Sequence, residues 1–244
     1  MKIAQKLAQK AKDNWNAPTV TIAFLGDSVT QGCFELYRME GDEYDTVFDK
    51  NSAYHTYVTK ILSVLYPTVP VNIINAGVSG SRAPHGLERL ERDVLRHHPD
   101  LTVVCFGLND CGRKEDGLDN YINALKDIFD KLDASGSEIL FLTPNMMATE
   151  VSSKMSDPLF RKIAEKISKL QNEGVLDMYL ESAKTLCKER NIPICDCYAK
   201  WKAMSAAGVD ITELLANKIN HPTREMNWLF ATSLVEAMLY NNKE

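Results

Sequence analysis

Thr19-Val20-Thr21-Ile22-Ala23-Phe24-Leu25-Gly26-Asp27-Ser28 is the stretch whose reading decides the fold. From Thr19 to Leu25 it is β-branched and apolar, without the alternation of a half-solvated strand. It therefore reads as a buried strand of a parallel sheet. A strand that stops at Gly26-Asp27-Ser28 puts a small hydroxyl at a tight turn on the carboxyl edge of that sheet, where open α/β sheets bind their ligands. A helix beginning near Thr30 and Gln31 would add free backbone N–H groups beside the serine. Ser28 is thus a candidate nucleophile.

Working outward, four further apolar runs alternate with helical patterns. Pro70–Ile74 reads as a second strand, ending in Asn75-Ala76-Gly77-Val78-Ser79-Gly80-Ser81. Asp100–Phe106 is a third, ending in Gly107-Leu108-Asn109-Asp110; Glu138–Thr143 and the short Ile192–Asp196 complete the set. Helical spacing of apolar residues predicts helices over 53–66 (with Asn51-Ser52 as cap), 86–97, 119–132, 158–170, 175–190, 199–207, 211–215 and 224–240, and a short amphipathic helix within 1–15. Five strands alternating with helices predict an α/β fold, a doubly wound parallel sheet with helices on both faces. No repeat or linker composition divides the chain, so 1–244 reads as one domain. Cys33–Lys50 reads as an irregular loop bearing aromatics and acids, a candidate wall for a substrate. Two helices between the fourth and fifth strands exceed what one crossover needs, making 145–173 a candidate lid or insertion.

Composition narrows the function. A formal charge of -5 with no dense Lys/Arg stripe argues against a nucleic-acid partner. No apolar run has the length of a membrane span. Residues 1–8 lack the apolar core of a signal peptide, so the cytoplasm is the expected compartment. The six cysteines are then expected as reduced thiols. Cys195-Asp196-Cys197 has no second Cys/His pair at zinc spacing, so no metal is expected there; a serine–histidine acyl transfer would need no cofactor either. Nothing in the sequence sets an oligomeric state.

In a parallel sheet the first three strand ends share one edge, so Ser28, Gly77 and Asn109 can converge. The N–H groups of Ser28 and Gly77 and the Asn109 amide would then supply three donors for a tetrahedral oxyanion. A serine nucleophile also needs a base. Among five histidines, His97 and His98 end a helix, His55 lies on a helix face and His85 follows strand two. His221, fixed by Pro222 in a loop before the last helix, is preferred over His85.

This combination resembles the SGNH, or GDSL-type, hydrolase family. Gly26-Asp27-Ser28, the glycine after strand two, Gly107-Leu108-Asn109-Asp110 and the late His221-Pro222 match its four blocks in order. The resemblance implies a flavodoxin-like sheet of order 2-1-3-4-5. It further implies Ser28 as nucleophile, Ser28, Gly77 and Asn109 as oxyanion hole, and His221 as base. One position departs: three residues before His221, where the family has aspartate, stands Lys218. Lysine cannot accept an imidazole N–H. Asn217, Asp210 or a backbone carbonyl could orient the ring instead. The implied reaction is ester hydrolysis through an acyl-enzyme on a small-molecule ester. An acetylated sugar or other small polar ester is the leading expectation. An apolar face on 158–170 closing a tunnel would favour an acyl thioesterase or lysophospholipase, and a decayed site would leave a binding module.

Overall fold

A computed structural model describes residues 1–240. In chain order its elements are α1 (Lys2–Lys12), β1 (Val20–Gly26), α2 (Ser28–Gln31), β2 (Cys33–Arg38), β3 (Tyr44–Phe48), α3 (Tyr54–Leu65), β4 (Val71–Gly77), α4 (Ala83–Glu88), α5 (Leu90–Asp93) and β5 (Leu101–Cys105). They continue with α6 (Leu118–Ala134), β6 (Glu138–Leu142), α7 (Pro158–Asn172), α8 (Val175–Glu189), β7 (Ile194–Cys195), α9 (Cys197–Ala206) and α10 (Asn227–Tyr240).

The main sheet has five parallel strands in the order β4-β1-β5-β6-β7, which is 2-1-3-4-5 among the expected strands. The central strands β1 and β5 are buried almost throughout, because helices cover both sides of the sheet. On one side α3 packs against α10, joined by α1 and α9; on the other α4, α6, α8 and α7 pack in succession. Phe24, Phe106, Phe129, Phe141, Phe230 and Trp201 fill the space between. Parallel pairing aligns Gly26 with Gly77 and with Cys105, so the first three strand ends meet at one edge.

Several local expectations change. Residues 33–48 form an antiparallel hairpin, β2–β3, rather than an irregular loop. The helix expected over 86–97 is broken into α4, α5 and a 3-10 turn at Leu95–His97. The break falls at Arg89, whose guanidinium turns inward to the Gly26 and Ala76 carbonyls at 2.8 and 2.6 Å. Asn51-Ser52 does not cap α3; Ser52 ends a 3-10 turn and Ala53 stands at the boundary. The fifth strand keeps only Ile194 and Cys195 in the ladder, since Pro193 has no N–H to donate. Residues 212–214 form a 3-10 turn, and the last helix starts at Asn227. Helix α2 begins at Ser28 itself, two residues earlier than expected, because the Asp27 carboxylate caps it by accepting the Val29 N–H at 3.0 Å. Among the described residues no helix is long and apolar enough to cross a membrane.

Candidate active site

At the β1 end, the turn into α2 buries Ser28, and the loop before α10 buries His221 beside it. His221 Nε2 lies 2.9 Å from Ser28 Oγ, and its Nδ1 lies 2.8 Å from the Phe34 carbonyl oxygen. A carbonyl can only accept, so Nδ1 carries the hydrogen and Nε2 presents its lone pair to the serine hydroxyl. Burial pulls the His221 pKa down to about 4, with the Phe34 carbonyl opposing, so the ring is neutral at pH 7 and ready to take a proton.

Asn217 does not touch the ring. Its Oδ1 accepts the backbone N–H groups of Ile219, Asn220 and His221 at 2.9–3.0 Å, and its amide nitrogen donates to Asn220 Oδ1. It holds the loop that carries the histidine instead of orienting the imidazole. Lys218, standing where the family pattern has aspartate, has a left-handed backbone with φ 57 and turns its ammonium to Glu213. Asp210 accepts the Glu213 N–H, and His85 bonds to Arg82, so neither serves Ser28.

Asn109 reaches the site at the end of β5. Its amide nitrogen donates to the Ser81 carbonyl at 3.0 Å and, at a long 3.4 Å, to Asp27 Oδ2. Gly77 does not offer its N–H to the site, because that group donates to Asn75 Oδ1 at 3.0 Å. Its glycine is required for another reason: a Cβ there would overlap the backbone of Thr30 and Gln31 in α2. The glycine that reaches the cavity is Gly80, with φ +71 and open space around its α-carbon. The sequence carried it three residues further along the same glycine-bearing loop.

Beneath the serine lie two buried carboxyls. Desolvation pushes Asp27 up to about 7, with Asp110 raising it further and Arg89 lowering it, and pushes Asp110 up to about 6. Asp110 accepts the Ala83 and Gly107 N–H groups, tying the loops after β4 and β5 together at 2.9 and 3.1 Å.

Ser28, Asn109 and His221 open into a cavity of about 270 Å³. Leu36, Tyr44, Asp45 and Thr46 of the hairpin form one wall, Ile163 and Ile167 of α7 another. Tyr44 meets Phe160 of α7 edge-on, and Arg38 pairs with Asp157 at the α7 cap, so the hairpin and helix close against each other. Among the lining residues Asp45 is the only charged one, and none is a lysine or arginine.

The model of the GDSL-like lipase/acylhydrolase family matches residues 24–229, spanning every element that meets at this site. The chain belongs to that family. As a member of the GDSL-like family it is a hydrolase of ester bonds. An acetylxylan esterase from Geobacillus stearothermophilus is 25% identical over 187 residues, 73% of this chain and 76% of the relative. A crystal structure of an acetylxylan esterase from that organism superposes with TM-score 0.66 at 21% identity, covering 92% of this chain and 95% of that one. A lipase/acylhydrolase from Enterococcus faecalis superposes with TM-score 0.65 at 20% identity, covering 92% and 98%. These two likenesses concern the GDSL-family fold.

Proposed function

We propose that this chain is a serine-dependent acetylesterase acting on a carbohydrate or other small polar ester. The observation that carries the reading is the 2.9 Å contact between His221 Nε2 and Ser28 Oγ at the cavity floor, with Nδ1 already engaged.

Ser28 Oγ attacks the ester carbonyl while its proton passes to His221 Nε2. The oxyanion meets the Ser28 N–H at the start of α2, the Gly80 N–H and the Asn109 amide, whose long contact to Asp27 leaves a hydrogen to share. The C–O bond to the alcohol breaks, His221 returns the proton to the departing oxygen, and the acyl group stays on Ser28. Water then attacks the acyl carbon and gives a proton to His221, which restores it to Ser28 as the acid leaves. The chain's own residues supply every proton transfer in this sequence.

Three features support a small polar ester. The cavity is at the small end of ligand sites, which start at roughly 300 Å³. Asp45, Thr46, Asn217 and Asn220 on its wall offer hydroxyl-binding groups, and Tyr44 offers an aromatic face. Its lining has no cation to meet the phosphate of a phospholipid or an acyl carrier. The similarity to acetylxylan esterases points the same way. A second reading, a thioesterase or lysophospholipase using the same residues, draws on Ile163 and Ile167, which turn an apolar face of α7 into the cavity.

The test is hydrolysis of acetylated xylo-oligosaccharides against butyryl, octanoyl and palmitoyl esters and thioesters, with Ser28→Ala and His221→Ala alongside. Turnover of the acetyl sugar, lost about a thousandfold or more in both variants, supports the proposal. A preference for long chains selects the second reading. Turnover that survives Ser28→Ala removes Ser28 as nucleophile.

A further inference from the structure

His221 is oriented by a main-chain oxygen, so something must hold that stretch of main chain in place. Phe34 lies at a register irregularity: β2 pairs Cys33 with Phe48 but Leu36 with Thr46, one residue too many on the β2 side. Such a bulge leaves a peptide group outside the ladder and re-aims it. The freed Phe34 carbonyl points at the His221 ring.

Arg224, three residues after His221, spans this bulge. Its Nη1 and Nη2 donate to the two carboxylate oxygens of Glu35 at 2.6 and 3.1 Å, and its Nε donates to Asp49 Oδ2 at 3.0 Å. The guanidinium carbon stands 4.3 Å from the centroid of the Phe34 ring. Asp49 is itself tied to the chain beyond the nucleophile, its N–H donating to the Gly32 carbonyl at 2.8 Å. One side chain thus fastens the histidine loop to the residue beside the orienting carbonyl, to the ring of the residue that bears it, and to the segment after β3. A planar fork meeting a carboxylate at two points fixes direction as well as distance.

We infer that Arg224, through Glu35 and Asp49, is a positioning residue that sets the Phe34 carbonyl against His221, taking over the work of the missing triad acid. The inference rests on Ser28 and His221 being the reacting pair. Arg224, Glu35 and Asp49 are each partly exposed, and ion pairs of that kind add little to global stability. None of the three lines the cavity, so substrate binding does not depend on them directly.

The test is steady-state hydrolysis of p-nitrophenyl acetate by the full chain, its Glu35→Gln, Arg224→Lys, Arg224→Gln and Arg224→Ala variants, with thermal unfolding measured in parallel. The expected result is a kcat loss of roughly tenfold to a hundredfold in Glu35→Gln and Arg224→Gln, the scale of a small misplacement of a catalytic group. KM stays within about twofold, since ground-state contacts are untouched. Arg224→Lys, which keeps the charge and loses the fork, falls between, and dilute guanidinium restores part of kcat to Arg224→Ala alone. Parent-like kcat in Glu35→Gln and Arg224→Gln would overturn the inference, as would losses that follow the melting temperature without rescue. Hydrolysis by the parent chain that survives Ser28→Ala would instead overturn the underlying reading of the site, and the inference with it.

Discussion

His221 Nδ1 and the Phe34 carbonyl oxygen stand 2.8 Å apart, so an uncharged peptide group holds the imidazole that a carboxylate holds in a serine triad. A carboxylate would stabilise the imidazolium and raise its pKa. A carbonyl does so only weakly, and burial dominates, taking His221 to about 4. In its proposed role as base His221 works unprotonated, so activity should be lost as pH falls through that value. The acid limb of kcat/KM for p-nitrophenyl acetate is therefore expected well below the ordinary histidine range, towards pH 4. A limb near 6.5 would show that the free enzyme carries an ordinary, solvated histidine.

Asp27 should be visible in stability. Its carboxyl titrates higher folded than unfolded, so the native state binds more protons between its ordinary pKa of 3.8 and about 7. The sign follows: Asp27 favours folding most at low pH and loses that contribution as pH rises through about 7. Asp27→Asn has nothing to ionise. The stability of the parent relative to Asp27→Asn should fall steadily between pH 4 and 8 in urea titrations. A difference that grows with pH would mean the carboxylate is stabilised in place.

Asn217 accepts three backbone N–H groups with one oxygen. Asn217→Ala strands these donors and should cost about 1–3 kcal/mol of stability together with much of kcat, through displacement of His221. Asn217→Asp keeps the acceptor but loses the donor to Asn220 Oδ1, so it should fall between Asn217→Ala and the parent in both. Chemical denaturation and initial rates on the two variants check this.

Gly77 and Asn109 should separate fold from catalysis. Gly77→Ala forces a side chain into the backbone of α2, so a lowered melting temperature is expected. Asn109→Ala removes the proposed oxyanion donor, a loss of typically about 3 kcal/mol in transition-state stabilisation, so a hundredfold or greater fall in kcat is expected.

The sheet was legible because buried parallel strands announce themselves as unbroken apolar runs: Thr19–Leu25 and Asp100–Phe106 needed no other signal. The convergence of Ser28, Gly77 and Asn109 follows from the shared edge of a parallel sheet, and the strand order from the family resemblance. The hairpin is hidden in the sequence, although Cys33–Arg38 and Tyr44–Phe48 carry strand-forming residues around Gly41, because the acids among them read as solvent-facing loop. Gly77 reads as an oxyanion donor in the sequence because a glycine at a strand end serves backbone approach or N–H exposure equally, and only the position of α2 decides between them. A backbone carbonyl is among the partners the sequence allows for His221, but nothing in the sequence points to Phe34, because a carbonyl has no residue type and is aimed only by the bulge.

The α7 wall should set acyl length. Ile163 and Ile167 face the cavity opposite Tyr44 and Leu36. Ile167→Ala should raise kcat/KM for butyryl over acetyl esters several-fold, a methylene-sized pocket being worth about 1–3 kcal/mol. Tyr44→Ala should raise KM for an acetylated oligosaccharide while leaving p-nitrophenyl acetate nearly unchanged. Equal effects on both substrates would place Tyr44 outside the alcohol side of the site.

The bulge between Cys33 and Leu36 also changes what kind of mutation this site fears. Every amino acid at position 34 brings the same oxygen, so point substitution alone cannot delete the group that orients His221. Its existence depends on a count of residues, one more on β2 than on β3. Removing a single residue there would restore regular pairing and return the carbonyl to the ladder. The orienting element is thus written in chain length, and indels rather than substitutions are the lesions that would erase it.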